Sequence, residues 1–223
     1  MKRIRPWLVL CGIWLSGCST VPFPAPDPFA VEPGAWADVP ARFESRLAPT
    51  YEQVNAIVFR FRLREIAALG YASVDLPARS FAVACMNPVG IKLFDVVCDR
   101  GTVAGRFVAP EIEKYGGELA QAAGADLMRA YFDWSPPAGT PYRVRNGRLV
   151  FSAKDETGRT EYRYAEQDGR LAEKIRIERG RVRWSVDYRG FRQSAGGWIP
   201  AGIVIRNRQY GYRLVVSARE MEP

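Results

Sequence analysis

The chain has 223 residues, a formal net charge of +8 and no histidine. The lack of histidine excludes catalysis by an imidazole base and metal sites built on imidazole ligands, and the sequence has neither a P-loop nor a GxGxxG motif after a strand. A positive net charge is typical of proteins that act near an anionic lipid surface, but it also occurs in many proteins that bind nothing acidic. We expect a binding or transport protein with no metal, no cofactor and no enzyme activity.

The first 17 residues have the pattern of a bacterial lipoprotein signal peptide. The basic segment Met1–Arg5 precedes the apolar run Trp7–Leu15, which is too short to span a bilayer, and Leu15–Cys18 matches a lipobox. We expect cleavage before Cys18 and acylation of this cysteine. Because Ser19 rather than an aspartate follows, we expect a lipid anchor at the periplasmic face of the outer membrane of a Gram-negative bacterium. The alternative is an ordinary signal peptide or a short anchor helix with a chance cysteine.

The chain is predicted to have three segments: the signal peptide 1–17, a lipidated tether 18–40 and a single domain 41–223. Prolines alternate with other residues between Pro22 and Pro28. Such a stretch stays extended and holds a domain away from the membrane. The remaining length is sufficient for one sizeable hydrophobic core.

The first half of the domain is predicted to consist of strands. Beyond Gln53, four apolar residues at every second position share one face of a strand. These residues are Ile57, Phe59, Phe61 and Leu63. Three further strands are predicted at Phe81–Met86, Ile91–Cys98 and Thr102–Val108.

A helical segment is predicted after these strands. Apolar residues recur at every third and fourth position from Ile112 to Trp134. We expect a break at Gly116-Gly117 or at Gly124, and Ser135-Pro136-Pro137 ends the segment.

Cys85 and Cys98 are the two cysteines that remain after the expected cleavage and acylation. They lie in the two strands of a predicted hairpin, whose tight turn at Asn87–Gly90 places Cys85 near Lys92. The two sulfurs are then not directly opposite each other. We favour two buried free thiols, and a disulfide is the alternative because the compartment permits it.

The second half is predicted to be a series of β-hairpins. Turn signals occur at Asn146-Gly147, Asp168-Gly169 and Arg179-Gly180. The third turn predicts pairs on one face, with Lys174 and other charged residues on the opposite face. These pairs are Ile177 with Val182, Ile175 with Trp184, and Leu171 with Tyr188.

A last turn is predicted at Asn207-Arg208. It would place apolar residues opposite one another on a single face, and a slip of one residue would expose them to water. The predicted pairs are Ile205 with Tyr210, Ile203 with Tyr212, Ala201 with Leu214, and Ile199 with Val216.

These elements predict an α+β fold that is mainly β. We expect a strongly curved antiparallel sheet, an incomplete β-barrel, because a twisted sheet of this size must curl. The helical segment would form a lid or plug over the apolar concave face. Two interpretations stay open: a plain packed core under the helix, or a cavity between helix and sheet that accepts acyl chains.

The sequence resembles the LolB-like outer-membrane lipoproteins of the lipoprotein-sorting superfamily (LolA/LolB fold). The loop Asn87-Pro88-Val89-Gly90 is similar to the Asn-Pro-Leu-Gly loop of LolB, where the leucine protrudes and is implicated in delivery to the outer membrane. Three other segments also look like the LolB region near the C-terminus. They are Leu171–Ile175, Ile199–Ala201 and the last hairpin Arg206–Leu214.

The resemblance implies a membrane-contacting loop and a hydrophobic cavity for the acyl chains of lipoproteins. The loop residues are Asn87, Pro88, Val89 and Gly90. Val89 has one methylene fewer than leucine, which lowers its burial free energy in a membrane by about 0.8 kcal/mol. The candidate cavity residues are apolar or aromatic, because acyl chains need only non-directional contacts. They are Trp36, Phe59, Phe61, Trp134, Ile175, Trp184, Tyr188, Ile203 and Tyr212.

The function that follows from this resemblance is the receipt of lipoproteins from a LolA-like periplasmic carrier and their delivery to the outer membrane. The expected partners are outer-membrane lipid, through acylated Cys18, and the acyl chains of lipoproteins or other lipids. We expect a monomer that binds no nucleic acid. Two alternatives stay open: a protein of this fold that handles another lipid or lipid-linked product, and a scaffold subunit of an envelope complex that binds no ligand. Ser80, Ser185 and Ser194 have no base in a recognisable motif, which argues against an acyltransferase.

Overall fold

The computed structural model describes residues 36–61, 63–110 and 117–219. Cys18, the signal peptide and most of the predicted tether lie outside the described residues, as does the predicted start of the helical segment at Ile112. The described part contains a 12-stranded antiparallel sheet, a two-stranded sheet and two α-helices. None of its helices is long and apolar enough to cross a membrane.

The large sheet is curved and is not closed into a barrel, which confirms the predicted mainly β fold. The strands are β1 Thr50–Phe61, β2 Arg64–Asp75, β3 Ser80–Met86, β4 Lys92–Asp99, β5 Thr102–Val108, β6 Tyr142–Arg145, β7 Arg148–Lys154, β8 Gly158–Ala165, β9 Leu171–Glu178, β10 Arg181–Tyr188, β11 Phe191–Ser194, β12 Gly197–Pro200, β13 Gly202–Asn207 and β14 Tyr212–Ala218. In the large sheet they run in the order β5-β4-β3-β2-β1-β14-β13-β10-β9-β8-β7-β6, and β11 pairs with β12 separately.

A short helical segment precedes the sheet. The 3-10 turn Trp36–Asp38 leads into α1, Val39–Glu44, so α1 straddles the predicted boundary between residues 40 and 41. A proline near the start of this helix is tolerated because the first N–H groups have no helical partner. Phe43 is buried, and its ring lies 5.3 Å from the ring of Phe191 and 6.0 Å from that of Trp134. These contacts hold α1 against the large cluster of buried residues, which we call the main core.

The helix α2, Gly117–Tyr131, packs against β4, β5 and β13 on the concave face of the sheet. It begins at Gly117 and runs through Gly124 without interruption, so Gly124 is excluded as one of the two positions at which a break was expected. An added Cβ at Gly124 would lie 2.5 Å from Cγ1 of Val103, so the glycine permits a close approach of α2 to β5. Trp134 follows the helix and is buried in the core.

The strands of the first half differ from the prediction at one turn. The first strand ends at Phe61, so Leu63 lies in the β1–β2 turn and is fully exposed rather than sharing the apolar face. The strand β2, which contains three alanines and one glycine, is not among the predicted strands. An added Cβ at Gly70 would lie 2.3 Å from Cδ1 of Ile57, so the glycine leaves room for that side chain. The hairpin predicted around Asn87–Gly90 is confirmed as β3 and β4.

The turns of the second half are confirmed in part. Asn146-Gly147 and Arg179-Gly180 form two-residue turns with positive φ at both positions, as expected for type I′. The turn near Asp168-Gly169 is longer, because Ala165 N–H bonds Arg170 C=O across four residues. The predicted turn at Asn207-Arg208 is also longer.

The last hairpin keeps the predicted face but has a different register. Asn207 pairs with Tyr212, so four residues form the turn. Ile205 therefore pairs with Leu214 and Ile203 with Val216, so each partner lies four residues beyond the predicted one. An even shift leaves the same side chains on the concave face. Ile199 and Ala201 do not extend this strand as predicted, because Ile199 lies in β12, which pairs with β11.

A β-bulge between Val182 and Trp184 changes the register of the β9–β10 hairpin. The observed pairs are Ile177 with Val182, Arg176 with Trp184, and Ile175 with Ser185. The predicted pairing of Ile175 with Trp184 and of Leu171 with Tyr188 is therefore wrong. A register shift of one residue exchanges the two faces of a strand. As a result, Lys174 faces α2 and Ile175 lies on the opposite face.

Candidate functional site

The tip of the β3–β4 hairpin has a fixed backbone. The Asn87 side-chain oxygen accepts hydrogen bonds from the N–H groups of Val89 (3.1 Å) and Ile91 (2.9 Å). The Gly90 N–H also bonds the Asn87 carbonyl at 3.0 Å, and Gly90 has a φ of +86°, which favours glycine. Pro88 restricts the turn further through its own ring. The tip is therefore ordered before it meets any partner.

The same tip exposes apolar side chains. Val89 is 79% exposed and Ile91 is 60% exposed, and the neighbouring Met86 is also exposed. The sequence reasoning named Val89 but assigned Ile91 to a strand. A side chain that follows a tight turn is often exposed, and that signal was available from the Asn87–Gly90 motif.

Other exposed apolar residues lie at the same end of the sheet. Phe61 pairs with Arg64 and Leu69 pairs with Met86, so the β1–β2 hairpin extends about 17 Å beyond the level of Met86. Leu63 lies at its tip, and Phe107 is exposed near the end of β5, opposite Asp95. We call this set the apolar rim. It comprises Leu63, Met86, Val89, Ile91 and Phe107.

The C-terminal end of α2 is fastened to the sheet by a buried lysine. The Lys174 ammonium donates to the carbonyl oxygens of Phe132 (2.8 Å), Asp133 (3.4 Å) and Arg129. Tyr188 donates to the Ala130 carbonyl at 2.8 Å in the same region. These side chains satisfy carbonyls at the helix end that have no helical partner. The alternation of the sequence predicts Lys174 on the outer charged face, and the bulge in the β9–β10 hairpin is the reason that it lies on the inner face instead.

A buried carboxylate fastens the middle of α2. Asp126 accepts hydrogen bonds from the Asn207 amide (2.8 Å) and the Tyr212 hydroxyl, and it pairs with Arg129. Asp126 is almost completely buried. The sequence pattern does not predict this burial, because an acidic residue in an amphipathic helix ordinarily lies on the solvated face.

The candidate cavity residues fall into three groups. Trp134, Tyr188 and Ile203 are buried in the main core, where the Trp134 and Tyr188 rings lie 4.8 Å apart, and Trp36 packs against that core. Phe59, Phe61 and Tyr212 form a smaller cluster with Ala122 of α2, and Trp184 is half-buried. Ile175 lies on the opposite, convex face of the sheet, since its neighbour Lys174 points at α2.

A polar depression of about 500 Å³ opens between α2 and the sheet beside Trp184. The Arg129 guanidinium lies over the Trp184 ring at 5.0 Å from its centre. Glu178, Arg183 and Asn207 also line the depression. Of the nine candidate cavity residues, only Trp184 lines it. In the described part of the chain, no group of histidine, cysteine or acidic residues is arranged to hold a metal ion.

No family model matches this sequence, and no curated protein matches it either. A LolA superfamily protein from Nitrosomonas europaea is similar in structure, with a TM-score of 0.52, 11% identity, and coverage of 86% of this chain and 94% of that chain. A putative outer membrane lipoprotein-sorting protein domain from Vibrio parahaemolyticus has a TM-score of 0.47 at 10% identity, and covers 82% of this chain and 90% of its own. A DUF1329 family protein from Desulfovibrio piger has a TM-score of 0.49 at 7% identity, with 83% and 90% covered. The likeness to the Nitrosomonas protein shows that this chain has the fold of the LolA superfamily.

Proposed function

We propose that this protein is an outer-membrane lipoprotein, anchored through acylated Cys18, which receives lipoproteins from a periplasmic carrier and delivers them to the outer membrane. The observation that carries the proposal is the apolar rim. Its exposed apolar side chains lie at one end of an open curved sheet, and the backbone of its β3–β4 hairpin tip is held by hydrogen bonds. The fold of the LolA superfamily and the resemblance of Asn87–Gly90 to the LolB loop support it.

The rim is suited to brief contact with a bilayer. Val89 and Ile91 are uncharged and already exposed, so their insertion into the interface gains free energy without breaking a folded contact. The ordered backbone lowers the entropy cost of that contact. Contact of this kind brings the open end of the sheet to the membrane that receives the cargo.

An acyl chain would enter beside the N-terminal half of α2. The C-terminal half is held by Lys174 and Tyr188 over a continuous buried core. The N-terminal half lies over the smaller cluster around Tyr212, in which Phe59 and Phe61 are only partly buried. Less packing is lost when α2 lifts away from the smaller cluster than when it lifts away from the main core. We therefore place the entry of the acyl chain at the smaller cluster.

The proposal is tested by direct transfer. A chain that begins at Ser19 retains residues 36–219, which contain the whole sheet and its core. Acylated lipoprotein on a LolA-type carrier is mixed with this chain, and the cargo is followed by size exclusion and then after addition of vesicles. We expect cargo to move onto the chain and from there into the vesicles, with no nucleotide required, because only differences in binding free energy drive the transfer.

A matched pair of variants tests the rim. Val89→Glu is expected to accept cargo but to lose delivery to vesicles, because a carboxylate at the tip opposes insertion. Val144→Glu makes the same change at an exposed position of β6, away from the rim, and is expected to deliver normally. Delivery by Val89→Glu at the wild-type rate would remove the rim from the mechanism. Failure of the wild-type chain to accept cargo would overturn the receptor function.

A second function is favoured by the packing under α2. Trp134, Tyr188 and Ile203 are in close contact, and Lys174 has its donors occupied, as in a filled core. This arrangement suits a scaffold subunit of an envelope complex that binds no acyl chain. Uptake of a fluorescent fatty acid separates the two, since the scaffold predicts none. Uptake without transfer of lipoprotein would indicate that the protein handles another lipid.

A further inference from the structure

Three arginines lie side by side across three neighbouring strands. Arg60 of β1 pairs directly with Arg213 of β14, which pairs directly with Arg206 of β13. We call them the arginine row. Like charges opposite each other in a sheet destabilise it, so a row of three cations needs a compensating interaction.

All three side chains project from the convex face. Residues on either side of each arginine face α2 or the core, and alternate residues of a strand point in opposite directions. These flanking residues are Phe59 and Phe61, Tyr212 and Leu214, and Ile205 and Asn207. The arginine row therefore lies on the face opposite α2, outside the proposed acyl-chain site.

Among the described residues, carboxylates form ion pairs with the two end arginines, and Asp187 also attracts the central Arg213 without forming an ion pair with it. Arg60 pairs with Glu65, and Arg206 pairs with Asp187, which also lies 3.5 Å from Arg189. Among the described residues, none forms an ion pair with the central arginine.

Arg213 has unused hydrogen-bonding capacity at the centre of the row. Its Nε is buried and has no hydrogen-bond partner within the part of the chain that the structure describes. Burial, together with the neighbouring guanidinium groups of Arg206 and Arg60, lowers the pKa of Arg213, and the Asp187 carboxylate opposes this shift only in part. The charged form of Arg213 would therefore be stabilised by an anion.

We propose that the arginine row is a binding site for phosphate groups, and that it engages the phosphates of anionic lipid headgroups at a membrane surface. Guanidinium groups present paired donors that match phosphate oxygens, and adjacent arginines can share one phosphate or bind neighbouring ones. This site is separate from the apolar rim, and it does not require that the protein transfers lipoproteins.

The position of the arginine row relative to the apolar rim supports lipid headgroups as the source of the phosphate groups. Leu63 is three residues beyond Arg60, or about 10 Å along an extended strand. Headgroups extend the bilayer by about 5–8 Å on each side of its hydrocarbon core. When Leu63 touches the acyl boundary, the arginine row lies near the level of the headgroup phosphates.

The test measures binding of the chain that begins at Ser19 to two kinds of vesicle, phosphatidylcholine alone and phosphatidylcholine mixed with phosphatidylglycerol. We expect tighter binding to the anionic vesicles, and Arg213→Gln is expected to weaken it about fivefold. Arg100→Gln is the control, because it removes the same charge from an exposed turn at the opposite end of the sheet. It is expected to change binding less than twofold.

Arg60→Gln is a second variant in case Arg213→Gln alters the fold, since the Arg60 side chain is half exposed. It is expected to weaken vesicle binding in the same direction, and thermal unfolding checks that each variant is folded. Titration of inorganic phosphate distinguishes the two sources of the group. If inorganic phosphate reduces vesicle binding of the wild-type chain but not of Arg213→Gln, the row recognises the phosphate group itself. Vesicle binding that depends on the row but resists phosphate would show that a lipid surface is needed.

Two results would overturn the proposal. Equal weakening by Arg213→Gln and Arg100→Gln would mean that only net charge matters. Equal binding of the wild-type chain to both kinds of vesicle would mean that the row does not recognise anionic headgroups. Neither result bears on lipoprotein transfer from a carrier, so failure here is distinguishable from failure of the proposed function.

Discussion

The ammonium group of Lys174 in β9 donates a 2.8 Å hydrogen bond to the carbonyl oxygen of Phe132, one residue beyond the end of α2. The same group reaches the carbonyls of Arg129 and Asp133. Three donors of one lysine thus meet one carbonyl of the last helical turn and two carbonyls just beyond the helix. The contact joins α2 to the sheet at one defined place.

Replacing Lys174 with methionine is expected to destabilise the protein by about 3 kcal/mol, because buried carbonyls then lose their donors. Lys154→Met, at the exposed end of β7, is the control and is expected to change stability by less than about 0.5 kcal/mol. Urea unfolding followed by tryptophan fluorescence measures both. A Lys174→Met variant as stable as the control would show that other contacts hold the end of α2.

The stability of the protein is expected to depend on pH through Lys174. Burial lowers the pKa of Lys174 to about 7, from an ordinary value of 10.5. Between these values the unfolded chain binds a proton that the folded chain has released, so the free energy of unfolding rises with pH. Below about pH 7 both states are protonated, and this contribution is constant.

The measurement compares wild type with Lys174→Met in urea from about pH 6 to about pH 9, where tyrosines of the unfolded chain are still largely protonated. The stability difference between the two chains is expected to change in favour of wild type as pH rises through about 7. Other titrating groups cancel in this difference. A difference that stays constant across the range would contradict the lowered pKa.

Lys174 also shows where the sequence could not predict the site. The alternation of apolar and charged residues in β9 and β10 placed Ile175 inward and Lys174 outward. A single bulge between Val182 and Trp184 reverses that assignment. A bulge has no strong local sequence signal, and burial of a lysine is favourable only with partners that come from α2. The reversal therefore depends on tertiary contacts.

Local turn chemistry was predictable where glycine and asparagine determine it. The turn at Asn146-Gly147 and the hairpin around Asn87–Gly90 form as predicted, because each needs a residue that adopts positive φ. The strand β2 was missed because its alanines and Gly70 carry little β-propensity. Its place is fixed by neighbours such as Ile57, whose side chain fills the space above Gly70.

Gly124 is expected to be required by the contact between α2 and β5. Gly124→Ala gains about 1 kcal/mol in helix propensity but places a methyl group against Val103, and such overpacking costs about 1–3 kcal/mol. We expect a net loss of stability of about 1 kcal/mol. In a Val103→Ala background, Gly124→Ala is expected to stabilise the protein instead. Thermal unfolding of wild type, the two single variants and the double variant measures this reversal in the effect of Gly124→Ala on stability. A stabilising effect in both backgrounds would show that the two elements are not in close contact.

Cys85 and Cys98 are expected to stay reduced and unreactive in the folded protein. Both are buried free thiols, and they pair with Phe94 and Phe81 respectively. Four positions separate them along β3, or about 13 Å, which exceeds the reach of a disulfide. The predicted position of Cys85 near Lys92 differs slightly, because a bulge follows Cys85. Burial also raises the pKa of the Cys85 thiol, which lowers its nucleophilicity.

Alkylation measures this directly. A chain that begins at Ser19 keeps only these two of the four cysteines. We expect iodoacetamide to add nothing to the native chain and two groups after unfolding, without any reductant. A mass two units lower that returns only with reductant would instead show a disulfide.

The contact of Asp126 with the sheet is expected to control how readily α2 lifts. Asp126→Ala removes the acceptor shared by Asn207 and Tyr212 and leaves both with buried polar atoms. Amides of α2 are expected to exchange with deuterium about tenfold faster, because a loss of about 1.4 kcal/mol in local stability raises the open population by that factor. Asp99→Ala, at an exposed turn, is the control and is expected to leave this exchange unchanged. If acyl chains enter beneath α2, the Asp126→Ala chain takes up a fluorescent fatty acid more readily than wild type. Faster exchange without greater uptake would show that α2 opens but does not cover the acyl-chain site.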